Sequence, residues 1–178
     1  MGLATIFKKL LIGRAISTKK GRIALFEKMD YVMYPAVGLA ITLQEIAEKN
    51  GEDFLFDISY KASLKAGEEM IKLMGLKPRT GHALLNTLSE FLEFTGYGKL
   101  EFITSKIEKD HHHLIIHIKD NPTVEYAKQI YGSKSMVCGF FRGMYSAYGN
   151  LIFGIKMKFK ENKCFCRGAP YCEFESKG

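Results

Sequence analysis

Three of the four cysteines fall within the last fifteen residues, in KENKCFCRGAPYCEFESKG, and this tail restricts the fold more than any other feature of the chain. Glu161 and Cys164 stand three apart, a spacing at which one turn can aim both at a single point. Cys172 follows eight residues after Cys164, and the intervening FCRGAPY holds Gly168 and Pro170, residues that let a chain double back. Cys138 stands alone upstream, near the start of a predicted helix. A tetrahedral zinc ion accepts thiolate, imidazole or carboxylate ligands. If these four side chains met at one ion, the tail would be tied to that helix and a long loop would be closed. Three thiolates and a carboxylate around a divalent ion carry a formal charge of about −2, which Lys160, Lys163 and Arg167 could offset. Four protein ligands leave no open position, so such an ion would be structural and not catalytic. The spacing alone keeps three readings open, because the double Cys-x-x-Cys pattern is absent: a zinc site, inert buried thiols, or redox cysteines and a disulfide. Cys166, two residues from Cys164, points to the opposite face if the segment is extended, and reads as a small buried or semi-buried side chain.

A chain of 178 residues with 47% hydrophobic composition is long enough for one domain with a real core, here residues 1–178. Apolar runs near the start are broken by Lys8, Lys9 and Arg14, and no stretch reaches the length of a membrane span. A cytoplasmic protein is expected, in which disulfides are disfavoured. Residues 1–30 carry seven basic and two acidic side chains, so +5 of the formal net charge of +7 lies there. Leu3, Ile6, Phe7, Leu10, Leu11 and Ala15 recur at helical spacing, which predicts a basic amphipathic helix over residues 1–20. Its apolar face suits packing on the body of the protein or on a second subunit, or else a membrane surface or an acidic partner. MGLATI lacks the Ser or Thr that a myristoylation signal needs.

After this segment GRIALFEKMDYVM reads as a strand. Three helices follow, in AVGLAITLQEIAEKNG, DFLFDISYKASLKAGEEMIKLMG and TGHALLNTLSEFLEFTGYG, with Thr80 a candidate N-cap of the third. The period then changes to two in KLEFITSKIEKDHHHLIIHIKD, a hairpin turning near Glu108–His111. NPTVEYAKQIYG predicts a helix with Asn121 as N-cap and Pro122 in the first turn. A further helix lies in SMVCGFFRGMYSAYG, NLIFGIKMKFKEN alternates like a strand, and YCEFES can return beside it. The order gives an α+β fold, an antiparallel sheet packed by helices on one side.

A cysteine near a helix start, Glu-x-x-Cys 23 residues later, seven residues and a final Cys-Glu-Phe together resemble the signature of the 4-vinyl reductase domain family. The resemblance is densest from Asn121 to Glu175, within a zinc-bearing signature region at 121–176. It implies a small-molecule-binding homodimer whose zinc ligands are Cys138, Glu161, Cys164 and Cys172, with a fold related to that of a vesicle-tethering subunit. Some members of that family serve as sensory domains for aromatic effectors in transcription activators, and the family name comes from a proposed part in bacteriochlorophyll synthesis. The sequence ends six residues after Cys172, without an attached ATPase or DNA-binding segment, so regulatory output is expected to reach a separate partner, with no direct nucleic-acid binding.

The resemblance also directs attention to a ligand pocket. Phe140, Phe141, Tyr145 and Tyr148 on one helix, with Phe91, Phe94 and Tyr97 near another, could line an apolar cavity in which a tyrosine hydroxyl or His82 orients a small apolar or aromatic ligand. Aromatic residues at helical spacing serve equally as plain core. The histidines of DHHHLIIHI read as an exposed strand face, since His113 and His117 on one strand stand about 13 Å apart. No nucleophile with its base, no paired carboxylates and no Gly-x-Gly-x-x-Gly segment is found. A zinc-stabilised sensor or carrier is therefore expected in preference to a reductase acting on a vinyl-bearing, tetrapyrrole-like substrate.

Overall fold

The computed structural model describes residues 16–19, 22–25, 29–73, 82–108 and 111–178. Three short strands come first: β1 (Ile16–Lys19), β2 (Arg22–Leu25) and β3 (Met29–Tyr31), paired antiparallel in that order. The run expected to be one strand is thus two, which pair with each other antiparallel. The helix expected over residues 1–20 cannot include 16–19, which pair with β2, and its first fifteen residues lie outside the described ones.

Helices α1 (Ala36–Asn50), α2 (Glu52–Leu73) and α3 (His82–Phe94) follow. Thr80 lies outside the described residues. The period-two segment forms the antiparallel hairpin of β4 (Lys99–Ile107) and β5 (His112–Lys119), whose register shifts between Phe102 and Thr104. Helix α4 (Pro122–Tyr131) opens as its sequence requires: Asn121 caps it, its side-chain oxygen accepting from the Val124 amide at 3.1 Å. Helix α5 (Cys138–Phe153) is longer than its sequence suggested. Leu151, Ile152 and Phe153 belong to it and not to a following strand, since apolar residues at 144, 145, 148 and 152 continue the helical stripe into the core. Only Lys160–Lys163 forms the next strand, β6, before β7 (Cys172–Lys177) closes the chain.

The second sheet has the order β4-β5-β7-β6, antiparallel throughout, so the last strand lies inside the sheet. Register places Leu114, Ile116 and Ile118 opposite Ser176, Phe174 and Cys172. These face the helices and are buried. The other face carries His113, His117, Glu173 and Glu175, giving helices on one side as the alternation of polar and apolar residues demands. The histidines there are paired across strands: His113 Nε2 lies 2.7 Å from Glu175 and His117 Nε2 lies 2.8 Å from Glu173. His117 departs from the expected exposed face, at 9% exposure, because the Tyr171 ring stacks on it at 3.9 Å.

Helices α2 and α5 pack closely against each other. Gly143 makes this possible, since a Cβ there would stand 3.0 Å from the Tyr60 amide and closer still to the Phe56 carbonyl. The Ser59 hydroxyl donates to the Phe140 carbonyl at 2.6 Å, and Asn150 donates to Tyr60, locking the pair in register.

Candidate functional site

Two places in this fold concentrate chemistry. The first is where α5, β6, β7 and the turn between the two strands meet. After β6 the chain makes a 3-10 turn at Phe165–Arg167 and reverses at Gly168, whose φ of +98° suits glycine. The amides of Arg167 and Ala169 both donate to the Cys164 carbonyl at 3.1 Å, and the Phe165 amide donates to Cys172 Sγ at 3.4 Å. This turn brings Cys172 back to Cys164. Helix α5 presents Cys138 from above, its approach fixed by Gln44 of α1. The buried Gln44 side chain accepts from the Met136 amide at 2.9 Å and donates to Glu48 at 2.9 Å and to the Lys134 carbonyl at 3.4 Å. Sequence reasoning missed Gln44; the available signal was a polar residue between Leu43 and Ala47 on a buried helical stripe.

Cys138 Sγ stands 3.7 Å from both Cys164 Sγ and Cys172 Sγ, and one ligand atom from each of Cys138, Glu161, Cys164 and Cys172 lies within 4.8 Å of every other. A tetrahedral zinc ion with Zn–S bonds near 2.3 Å separates its sulfurs by about 3.8 Å. The cluster therefore has the dimensions of a metal site. Glu161 supplies a further sign: its Oε1 is buried without a hydrogen-bond partner, while Oε2 faces Arg167 at 3.6 Å. An orphaned buried carboxylate oxygen is costly unless something cationic completes it. Of the three bases expected to offset the cluster, Arg167 does so, whereas Lys163 turns to Glu173 at 2.9 Å. Cys166 is separate, its thiol donating to the Val124 carbonyl at 3.6 Å.

The thiols cannot all ionise without a cation. Hydrogen bonding from Cys138 first holds Cys164 far below the ordinary thiol range, and donation to Cys164 raises Cys138 well above it. Burial, with the neighbouring Cys164 charge, pushes Glu161 up to about 7. A divalent cation would reverse these balances and release protons on binding.

The second place is a cavity of about 230 Å³. One wall is α2, through Ser63, Gly67 and Met70. The facing wall is α5, through Phe140, Met144 and Tyr148. Met29 and Tyr31 of β3 close one side, Phe91 and Tyr97 the other, and the exposed Ala62 and Ala66 leave a mouth open to solvent. Among the described residues no charged side chain lines it. Burial raises the pKa of Tyr31, Tyr97 and Tyr148.

Of the residues expected in a pocket, Phe91, Tyr97, Phe140 and Tyr148 line this cavity. Phe94 does not: it is 39% exposed, on the outer side of α3. Phe141 and Tyr145 point from α5 toward the sheet and are buried in the main core, where Tyr145 meets Phe174 and lines a separate, much smaller gap with Phe102, Ile116 and Phe159. His82 opens α3, and its side chain lies outside the described residues. The walls given by α2 and β3 were missed, as small residues on a long helix carry no chemical signal.

No family profile matches the sequence, and no curated protein is significantly similar to it. Solved structures are similar in fold. The phenol-responsive sensory domain of the transcription activator PoxR, solved with phenol, superposes with a TM-score of 0.68 at 18% identity, covering 98% of this chain and 90% of that one. A vinyl-4-reductase family protein from Methanocaldococcus jannaschii superposes with a TM-score of 0.52 at 18% identity, covering 85% of this chain and 84% of that one. The chain has the fold of the vinyl-4-reductase family. A trafficking protein particle complex subunit 3 from Naegleria fowleri, covalently bound to palmitic acid, overlaps over 80% of this chain and 93% of its own, with a TM-score of 0.46 at 15% identity. Within the vinyl-4-reductase fold, this chain sets its cysteine cluster and its cavity on the two sides of one helix, α5.

Proposed function

We propose that this chain is a small-molecule sensor or carrier, whose cavity between α2, α5 and β3 takes a small apolar or aromatic molecule and whose terminal turn holds a structural zinc ion. The observation that carries the reading is the cavity: about 230 Å³, walled by aromatic and methionine side chains, with hydroxyls as its polar groups. Apolar cavities of about 150 Å³ already take benzene, so one or two rings suit this volume. The phenol bound by the PoxR domain is a ligand of that size class and supports the reading. A vinyl-bearing tetrapyrrole, the substrate of the reductase alternative, needs far more room, since even drug-sized ligands occupy about 300–1,000 Å³.

Zinc is the ion that three converging thiolates and a carboxylate suit best, and Cys138, Glu161, Cys164 and Cys172 would hold it as a closed tetrahedral site. Its contribution there is to the fold, with its binding energy appearing as folding energy. A homodimer fits the apolar surface that Val32, Met33 and Tyr34 expose after β3. Among the described residues no helix is long and apolar enough to cross a membrane. The test is thermal unfolding of the zinc-loaded protein against a library of small aromatics. A ligand at a hundred times its Kd adds about 2.7 kcal/mol, so a true ligand raises the Tm in proportion to the logarithm of its concentration. No stabiliser in such a library would refute the reading.

A further inference from the structure

From the segment between α5 and β6 we infer that the chain carries a docking strip for an acidic polypeptide segment, formed by the ammonium groups of Lys156, Lys158 and Lys160. The strip is independent of the cavity and of the cysteine cluster. Residues 154–168 hold five basic side chains, Lys156, Lys158, Lys160, Lys163 and Arg167, against one acid, Glu161. The last two are engaged within the fold, Lys163 with Glu173 at 2.9 Å and Arg167 with Glu161 at 3.6 Å. The first three stand at alternate positions and are exposed, while Met157 and Phe159 between them turn inward, each only 2% exposed. This alternation is that of an extended chain, which sets successive lysines about 6.6 Å apart on one side. Helix α5 holds the segment in that form: Ser146 accepts from the Phe159 amide at 3.0 Å, and Asn150, one turn further along, accepts from the Met157 amide. The row is therefore fixed before any partner arrives, which lowers the ordering cost of binding.

Neighbouring acids have partners of their own. Glu175, opposite Lys160 in the strand register, accepts from Asn162 at 2.8 Å and lies 2.7 Å from His113. Lys158 lies over the Phe56 ring at 5.4 Å, as Arg142 does at 5.2 Å, and it is Arg142 that meets the Glu52 and Asp53 carboxylates, at 3.6 and 3.2 Å. The inward turn of Met157 and Phe159 then decides which polyanion suits the row. Single-stranded nucleic acid is held by exposed aromatic rings on which its bases stack, and here the ring between the lysines is buried. A membrane surface draws clusters of about four to eight cations, with apolar side chains to insert, whereas this row has three lysines alternating with buried apolar side chains. An extended acidic segment needs only carboxylates at alternate residues. Because it is built on the same two-residue repeat, three of them fall opposite the three lysines in register.

Amide NMR titration of the full chain at low salt tests this, with a short peptide of alternating Glu and Ser as the probe and, as rivals, oligothymidylate and vesicles of phosphatidylcholine with phosphatidylserine. The acidic peptide should shift the amide signals of residues 155–160. The triple variant Lys156→Gln, Lys158→Gln, Lys160→Gln should bind it about tenfold more weakly, at about twofold for each exposed ion pair. Unchanged affinity in that variant, shifts centred elsewhere on the unaltered chain, or no shift at all overturns the inference. So does tighter binding of the oligonucleotide or of the vesicles, which would give the row to one of those classes. Should the triple variant fail to fold, the unaltered chain decides alone: shifts at 155–160 that vanish in high salt support the strip, and shifts that persist there overturn it.

Discussion

The cysteine cluster and the cavity lie on opposite sides of α5 and are built on opposite principles. The cluster draws three of its four ligands from twelve consecutive residues, Glu161 to Cys172, so that one strand end and one tight turn create most of it. The cavity takes its walls from β3, α2, the end of α3 and α5, spread from Met29 to Tyr148. The cluster is specified by chemistry that few residue types can supply. The cavity is specified by residues being small, Ser63 and Gly67 on α2, where others would fill the gap. A metal site of this kind can persist while the rest of a fold drifts, whereas a cavity depends on every helix that frames it.

The largest effect is expected from breaking the cluster. Cys172→Ser should abolish stoichiometric metal binding and lower stability by several kcal/mol, since structural zinc binding energies of about 10–16 kcal/mol are folding energy. Cys166→Ser should keep the metal and cost only about 1 kcal/mol, as the new hydroxyl can still donate to the Val124 carbonyl. Metal content and denaturant unfolding of the two variants measure the contrast, and equal losses would remove the distinction between ligand and neighbour. Next in size, Gly143→Ala should cost about 1–3 kcal/mol by forcing a methyl against the α2 backbone. Because it separates the cavity walls without touching a ligand of the cluster, it should weaken probe binding and leave metal stoichiometry at one. Loss of the metal as well would show the two regions to be one unit.

A smaller effect comes from pH. In the metal-free protein Glu161 is raised from 4.5 to about 7, so the stability it contributes is complete below 4.5 and is lost as pH rises through about 7. The metal-bound protein requires the carboxylate, so the stabilisation conferred by metal should grow over that same interval. Unfolding at pH 5 to 8, with and without chelator, should show the two curves diverging as pH rises; curves that stay parallel would place Glu161 outside the ligand set.

The sequence made the α+β class legible because its periods are clean: helical stripes in α1 to α3, alternation in β4 and β5, and a proline-led cap at Asn121. It misplaced the end of α5, since Leu151–Phe153 are apolar and suit either a helix or a strand until the core receives them. The four members of the cluster could be named because the chain has only four cysteines and Glu161 stands three residues before one of them, in the spacing of the family signature. The cavity was only half visible. Phe91, Tyr97 and Phe140 were named as aromatics, but nothing separates them in sequence from Phe141 and Tyr145, which turn to the sheet one or more residues further along the same helix. Which side of α5 faces the cavity is decided by α2, through Gly143, and not by α5 alone.

The most direct measurement is native mass spectrometry of untagged protein with phenol present, on the unaltered chain and on Ser63→Leu, which puts a larger side chain into the cavity wall. The account predicts one zinc per chain in both, with a bound phenol in the first and none in the second. Zinc without phenol in either, or phenol retained by Ser63→Leu, would contradict it.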